Sequence, residues 1–581
     1  MKTEAPWYKY YGDVPATLDY PDYSMYNQIL SSANKYPDYK ALDFMGTALT
    51  YSEMIDAVNV AAKGFCALGV KSGDRVTICL PNTPHAVICF YAVNLMGAVA
   101  NMIHPLSSEG EIEFYLRDSG SRVAITLDQF YDKFKNTEKK YKLKKLIIAS
   151  VADYMNPFTK IGYKLTLGRK IKPVCEKDNV ILWKNFVKLG ENFEGEYKNL
   201  KKGKEAAVIL YSGGTTGTTK GILLSNLNFN ALAIQTATMG NLKGAGLSML
   251  AVLPVFHGFG LGVCIHTILS AGCRCILIPR FNAESYAKLL RTKKPNYIAG
   301  VPTLYEAILR NPDMDGVDLS CLRGVFSGGD SLSAELKKRF DKFLFDHNSP
   351  VPVREGYGTT ECVTASCLTP QENAREGSIG IPFPDTFYSI CNPETNEELP
   401  YGTEGEICIS GPTVMIEYVG HPEETKNTLR VHKDGRTWLH TGDLGIMDED
   451  GFIYFRQRMK RMIVTSGYNV YPSQIENVLD GHPAVQMSCV IGVPDPYKMQ
   501  KVKAFVMLKP GVKFTPEVKN NILEHCRKNV AKYAMPYDIE ARDQLPKTLV
   551  GKVAYKVLEQ EELNKIDENV APGESAVVSK S

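Results

Sequence analysis

The residues best suited to chemistry form one run, Tyr211-Ser212-Gly213-Gly214-Thr215-Thr216-Gly217-Thr218-Thr219-Lys220-Gly221. Glycines let backbone N–H groups converge on a polyphosphate, hydroxyls add donors, and one lysine adds a cation. A Walker A loop would end in Gly-Lys-Ser/Thr and open into a helix whose dipole faces the phosphates. Here Lys220 stands between Thr219 and Gly221, and the apolar Ile222-Leu223-Leu224 that follows reads as strand. Ala206 to Leu210 is apolar as well, so the loop is expected to join two strands. A plain turn does not need so many hydroxyls plus a lysine, which favours a phosphate cradle.

Four further islands follow. Ser327-Gly328-Gly329-Asp330, after Gly324 to Phe326, permits close backbone approach to a planar base. Gly356-Tyr357-Gly358-Thr359-Thr360-Glu361 sets an aromatic face between glycines, then a hydroxyl and a carboxylate. Trp438-Leu439-His440-Thr441-Gly442-Asp443 adds another carboxylate beside a glycine, and Leu545-Pro546-Lys547-Thr548-Leu549-Val550-Gly551-Lys552 places a lysine after a glycine. Singly each is weak: Asp443 alone reads as a solvated turn and Lys552 alone as a surface lysine.

The elements that must position these islands alternate. Arg75 to Leu80, Arg122 to Thr126, Lys145 to Ser150, Ala206 to Leu210, Met249 to Leu253 and Arg274 to Ile278 read as strands, with amphipathic Tyr51 to Leu68 and Ala283 to Thr292 between them. That pattern predicts an α/β fold, a large N-terminal domain of doubly wound sheets over 1–458 that binds ligands beyond its strand ends. From about Lys460 the pattern restarts on a smaller scale. Strands at Val485 to Val493 and Lys503 to Leu508 and helices at Ser473 to Leu479 and Val518 to Val530 predict a small mobile α+β C-terminal domain over 459–563. The small polar residues of 564–581 predict a disordered tail.

Composition excludes several classes. The chain has 581 residues, 44% of them hydrophobic and 23% charged, with net charge +3, as expected of a soluble multidomain protein. Its 14 cysteines show no CxxC pair or Cys/His metal spacing, so they read as reduced packing residues in a cytoplasm and no structural zinc is expected. No signal peptide is apparent at Met1 to Tyr8. Uncharged Pro84 to Pro105 reads as a buried helix and strand rather than a membrane span, and Gly244 to Ser270 is broken by Pro254, Gly258, Gly260 and Gly262 into short elements. Between Lys133 and Lys172 stand 12 Lys/Arg and two acids, a net +10 that leaves −7 for the remainder. Tyr154, Met155, Phe158, Ile161, Tyr163, Leu165 and Leu167 interleave with these charges. Either a solvated loop or peripheral contact with an anionic membrane at its inner face fits. Nucleic acid is not expected as a partner.

In joint order the islands resemble the motifs of the adenylate-forming (AMP-binding) superfamily, most closely its fatty-acyl-CoA synthetases. The likeness runs from about Tyr51 to Lys556 and takes in Phe256-His257-Gly258, the hinge Arg458-x-Lys460 and the Gly467-Tyr468-Asn469 loop. It implies a ligase that joins a carboxylic acid, of medium or long chain, to AMP with loss of pyrophosphate, and then to CoA. ATP, CoA and Mg²⁺ are the implied small partners, and the protein is expected to act as a monomer or homodimer.

The same resemblance assigns roles. Ser212, Gly213, Gly214, Thr215, Thr216, Gly217, Thr218 and Lys220 would hold the β- and γ-phosphates; Glu361 would ligate Mg²⁺ and Thr360 the α-phosphate. Tyr357, with Gly358 and Thr359 beside it, would stack on adenine, and Gly328, Gly329 and Asp330 would line its edge. Asp443 would accept the ribose hydroxyls with help from Arg458. Lys552 would bridge carboxylate and α-phosphate, His257 would gate or line the acyl pocket, and rotation about Lys460 would bring Gly467 and Tyr468 to the thiol. Small residues at Gly356, Gly258, Gly260 and Gly262 suggest acyl space, which an aromatic or steroid acid could also use. Departures from the pattern are Gly213, Thr219, Asp330, Gln457, Val464 and Tyr555. A ligase loading a carrier protein, a luciferase-like oxidase and a non-catalytic binding protein are the alternatives.

Overall fold

The hairpin expected around the glycine-rich run is present. Ala206–Tyr211 and Gly221–Ser225 pair antiparallel, from Ala206↔Ser225 to Tyr211↔Gly221. The computed structural model describes residues 5–211, 219–242, 244–465, 468–548 and 551–570, so Ser212 to Thr218 and Gly467 lie outside the described residues.

Contacts group the chain into two units. The first comprises Met1–Leu332, Arg339–Thr441 and Met447–Tyr454; the second comprises Ser333–Lys338, Gly442–Ile446 and Phe455–Ser581. Asp443 and Arg458, expected within a 1–458 domain, are therefore grouped with the second unit.

Two large sheets build the first unit. One has eight strands, in the order Glu417–Tyr418, Gly221–Ser225, Ala206–Tyr211, Val99–Met102, Arg75–Cys79, Val123–Leu127, Lys145–Ala149 and Val180–Leu182. The other has nine, and its centre runs parallel from Val353–Tyr357 through Gly324–Ser327, Tyr297–Gly300, Ser248–Ala251 and Arg274–Leu277 to Lys40–Phe44. Strands covered on both faces must be apolar throughout, which is why they read as continuous apolar runs. The helices start where side chains cap them. Thr50 Oγ1 accepts from Glu53 N at 3.2 Å while Glu53 Oε2 accepts from Thr50 N at 2.8 Å, opening Tyr51–Ala67.

The first uncharged run is a fully buried helix, Pro84–Leu95, followed by the buried strand Val99–Met102, as expected. The second corrects the reading of its glycines. Phe259–Thr267 is a continuous π-helix that contains Gly260 and Gly262. These glycines serve close packing, because a β-carbon at Gly260 would lie 2.0 Å from Pro254 O and one at Gly262 2.6 Å from Leu232 Cδ2. Among the described residues no helix is long and apolar enough to cross a membrane. All 14 cysteines are free thiols.

The second unit holds an α+β arrangement. Its sheet orders Tyr468–Val470, Ile463–Thr465, Met499–Leu508 and Val485–Asp495, with Asp538–Ala541 also pairing onto Met499–Leu508. Helices Pro472–Asp480 and Pro516–Asn529 bury Ile475, Leu479, Ile522 and Cys526 against Val490, Val502 and Ala504 of that sheet. A last helix, Tyr555–Val570, runs past Asn564 into the stretch expected to be disordered. Composition misled there: Ile566 packs on the cluster around Leu545 and Leu558, and Lys565 Nζ pairs with Glu562 Oε1 at 2.7 Å.

Candidate functional site

Lys220 is presented at the end of the hairpin, one residue before Gly221. Its Nζ lies 3.6 Å from Glu424 Oε1 and 5.2 Å from the centroid of the Tyr418 ring. Tyr418 owes its place to strand pairing, since Glu417–Tyr418 adds to Gly221–Ser225 in the register Tyr418↔Ile222. The approach is set from below by Ser225 and Asn228. These residues cap the helix Asn226–Met239 reciprocally, and Asn228 Nδ2 donates to Pro412 O and Val414 O at 2.8 Å each.

On its other side Tyr418 OH donates to Glu361 Oε1 at 2.8 Å. Glu361 sits in the turn Thr360–Cys362 that follows Tyr357 at the end of Val353–Tyr357, and its backbone carbonyl accepts from Met415 N at 2.7 Å. Lysine, phenol and carboxylate thus form one chain of contacts. It links the end of the glycine-rich run to the proposed metal ligand, although the residues are 57 or more positions apart. Motif reading named Lys220 and Glu361 and missed Tyr418 and Glu424. The alternation of the two-residue strand Glu417–Tyr418 was too short a signal to find them.

Strain marks the same turn. Val363 has φ +66°, which a β-branched residue rarely adopts. A β-carbon on Gly258 would lie 1.6 Å from Val363 O, so only glycine lets the two backbones meet. The expectation that Gly258 leaves acyl space is therefore corrected: the space is filled by the Glu361 turn. His257 is half-buried rather than a core residue, and its Nδ1 accepts from Phe259 N at 3.2 Å, where the π-helix begins.

Around the expected base site, Ser327 pairs with Glu355 across Gly324–Ser327 and Val353–Tyr357. A β-carbon on Gly328 would sit 3.0 Å from Gly356 O. Gly329 adopts φ +81° and the exposed Asp330 accepts from Ser331 N at 3.0 Å, so Asp330 closes its own turn. Tyr357 is half-exposed, Gly358 approaches Thr364 O too closely for a β-carbon, and Thr359 is buried. Asp118 and Tyr211 brace the base of the hairpin. Burial pushes the Asp118 carboxyl up and the Tyr211 phenol well up, and Asp118 Oδ2 lies 2.7 Å from where a Gly221 β-carbon would be.

In the second unit, Arg458 Nε and Asp443 Oδ1 form an ion pair at 3.3 Å, with the Asp443 side chain 2% exposed. Next to Arg458, the buried Gln457 amide has no hydrogen-bond partner among the described residues. Lys460 lies in the turn Met459–Arg461, whose Arg461 pairs with Glu476 and rests 4.8 Å over the Tyr555 ring. Lys552 ends a tight loop. Thr548 N donates to Lys552 O at 2.7 Å, Lys552 N to Thr548 Oγ1 at 3.1 Å and Gly551 N to Thr548 O at 2.9 Å, with Gly551 at φ +87°. The exposed Tyr468 stacks on Tyr533 at 4.6 Å, beside a cleft lined by Thr465, Lys498, Lys501, Lys532, Tyr533 and Tyr537.

Known proteins resemble this chain over most of its length. Residues 30–419 match the model of the AMP-binding enzyme family and residues 474–552 that of the AMP-binding enzyme C-terminal domain. A long-chain-fatty-acid–CoA ligase of Bacillus subtilis (strain 168) is 36% identical over 569 residues, 97% of this chain and 99% of its own. One from Salmonella typhimurium is 30% identical over 573 residues, covering 96% and 98%. The anthranilate CoA ligase AuaEII, solved with anthranoyl-AMP, superposes with TM-score 0.82 over 96% of this chain and 99% of its own at 23% identity.

Proposed function

Because the chain belongs to the AMP-binding enzyme family, we propose that it is an acyl-CoA synthetase that activates a medium- to long-chain fatty acid with ATP. The acid carboxylate attacks the α-phosphorus, the bond from that phosphorus to the bridging oxygen of pyrophosphate breaks, and acyl-AMP forms. The CoA thiolate then attacks the acyl carbonyl and AMP leaves. The observation that carries this reading is the chain of contacts from Lys220 through Tyr418 to Glu361. It holds a cation and a carboxylate in fixed relation at the mouth of a glycine-rich hairpin, which is how charge on a polyphosphate is managed without a helix dipole.

Each group has a task in that proposal. Lys220 steadies the departing pyrophosphate, and Thr360 donates to the α-phosphate. The hard carboxylate oxygens of Glu361, one of them already oriented by Tyr418, suit Mg²⁺, which when bound neutralises phosphate charge. Tyr357 stacks on adenine and Asp443, oriented by Arg458, accepts the ribose hydroxyls. Lys552 meets the charge building between carboxylate and phosphate, and Lys460 is the pivot that exchanges its loop for the Tyr468 hairpin. The three lysines by Tyr468 favour a thiol donor that carries a phosphorylated nucleotide, which CoA does and a carrier protein's prosthetic arm does not. The fatty-acid preference rests on the relatives matched over nearly their whole length rather than on Gly258, Gly260 and Gly262, which are consumed by packing.

Pyrophosphate release measured over a panel of carboxylic acids, with and without CoA, tests the reading. The largest kcat/KM is expected for long-chain acids, with acyl-CoA as product; adenylation that ignores CoA and needs a carrier protein overturns it.

A membrane-facing role of the basic segment is part of the proposal. The helix Pro157–Leu165 exposes Phe158, Ile161 and Leu165 by 87%, 59% and 67%, and their spacing puts all three on one face. Exposed Lys164, Arg169 and Lys170 flank them, as at an anionic lipid surface. Flotation with vesicles containing anionic lipid should weaken on Phe158→Asp and with salt; unchanged flotation rules this contact out.

A further inference from the structure

Tyr555, one of the departures from the superfamily pattern, stands three residues after Lys552 and opens the last helix of the second unit, Tyr555–Val570. The segment before it is a closed loop. Ala554 N donates to Pro546 O at 2.8 Å, Lys547 bridges Val553 antiparallel, and Lys552 sits inside that ring of bonds. Leu545 before the loop and Leu558 after it share one buried cluster with Cys489, Ile491, Val493 and Phe505, and the half-buried Tyr555 packs against it. Apolar burial of this kind holds the loop to the sheet without fixing its direction, because the hydrophobic effect is non-directional.

A directional contact comes from far away in the sequence. Arg461 closes the turn Met459–Arg461, which carries the proposed pivot Lys460, and its guanidinium carbon lies 4.8 Å from the centroid of the Tyr555 ring, 94 positions on. The guanidinium is not a loose surface group. It pairs with Glu476 of the helix Pro472–Asp480, and its Nη2 donates to Val490 O at 3.3 Å on the strand Val485–Asp495. Glu476 Oε1 in turn accepts from Val490 N at 2.7 Å, so helix, strand and turn are joined at one point. The side chains of Arg461 and Glu476 are only 20% and 17% exposed, and a cation withdrawn from water is drawn more strongly to an aromatic face. A planar guanidinium can bind a carboxylate at its edge while a ring stacks on its face, which the ammonium of a lysine cannot do.

We propose that Arg461 and Tyr555 form a strut that fixes the lysine loop to the turn at the pivot, which makes both of them positioning residues for adenylation. The inference rests on the reading of Lys552 as the lysine of the adenylating half-reaction. Neither side chain touches a substrate in this role. A swing about Lys460 delivers Lys552 reproducibly only if the loop keeps one orientation relative to the pivot, and misplacement by about 1 Å can cost on the order of 10²-fold in rate. The ring is the specific requirement, since an aliphatic residue at 555 would keep the packing on Leu545 and Leu558 but offer no π-face to Arg461. Tyr468 is held by separate contacts, its strand paired with Ile463–Thr465 and its ring stacked on Tyr533, so thioester formation does not depend on the strut.

The test measures both half-reactions in the full chain, adenylation by pyrophosphate release and thioester formation from supplied acyl-adenylate and CoA. Tyr555→Leu should lower kcat for adenylation roughly 3–30-fold, the range open to the loss of one cation–π contact, with KM for ATP unchanged. Thioester formation should be retained, which also shows that the unit is folded. Tyr555→Phe keeps the ring and should adenylate like the wild type. Arg461→Gln should lower adenylation too, and the double variant should lose less than the product of the two single losses. Wild-type adenylation in Tyr555→Leu, equal losses in both half-reactions, a defect in Tyr555→Phe as large as that of Tyr555→Leu, or fully multiplicative losses in the double variant each overturns the strut. Lys552→Ala run alongside separates the two levels. If it fails to adenylate while Tyr555→Leu is normal, only the strut falls; if it adenylates normally, the reading of Lys552 falls and the strut with it.

Discussion

The two units present their charged groups in opposite ways. In the first, Lys220, Tyr418 and Glu361 are side chains tied to one another across paired strands and a strained turn. In the second, Lys552 is carried on a short loop closed by backbone bonds and one threonine hydroxyl. A cradle that must meet the same phosphates in every cycle gains from fixed dipoles that need no rearrangement during reaction. If Lys552 serves only one half-reaction, as the proposed function has it, it would gain from sitting on a small element that moves as a piece. Under the proposed function, stiffness and delivery would be divided between the units.

The strongest way to break that contrast is Lys552→Ala. Acyl-adenylate formation should fall on the order of 10²–10³-fold, while thioester formation from supplied acyl-adenylate is spared. Rapid-quench measurement of both half-reactions checks it, and equal losses would mean that Lys552 is not confined to one step.

Tyr418→Phe sharpens the other side. It deletes one hydrogen bond to a carboxylate and leaves the ring under Lys220, so adenylation should drop by about tenfold, with a higher Mg²⁺ requirement. An unchanged Mg²⁺ dependence would reduce Tyr418 to a packing residue.

The smallest effect concerns the packing behind the cradle. His266 lies within the π-helix, bonded to Tyr91 OH and Asn230 Oδ1 at 3.0 Å each, and burial pushes its pKa from 6.5 down to about 3. The folded state holds the ring neutral while the unfolded chain protonates it. Stability should therefore be fully present above about pH 6.5 and be lost towards pH 3, with a slope of up to about 1.4 kcal/mol per pH unit. Unfolding midpoints followed against pH should show this slope flattened in His266→Gln.

Local signals made much of this legible. The strands that flank the phosphate loop, the buried helix Pro84–Leu95 and the small domain's helices all announce themselves by unbroken or periodic apolar residues, because burial on two faces or one leaves that imprint. Glu361, Asp443 and Lys552 stood out because each follows a glycine-bearing turn. Tyr418 and Glu424 carried no such imprint, and the glycines at 258, 260 and 262 were misread for the same reason.

By itself the order of residues determined the α/β class, the hairpin around Tyr211 to Gly221, and the types of charged group available to a nucleotide. Only the tertiary structure decided that Lys220 reaches Glu361 through Tyr418, that Gly258 makes room for a backbone rather than an acyl chain, and that Glu406, Cys408 and His440 meet. The reason is physical. Propensity and periodicity act over a few residues, whereas contacts between paired strands depend on register across loops of any length, and register is set by the whole buried face at once.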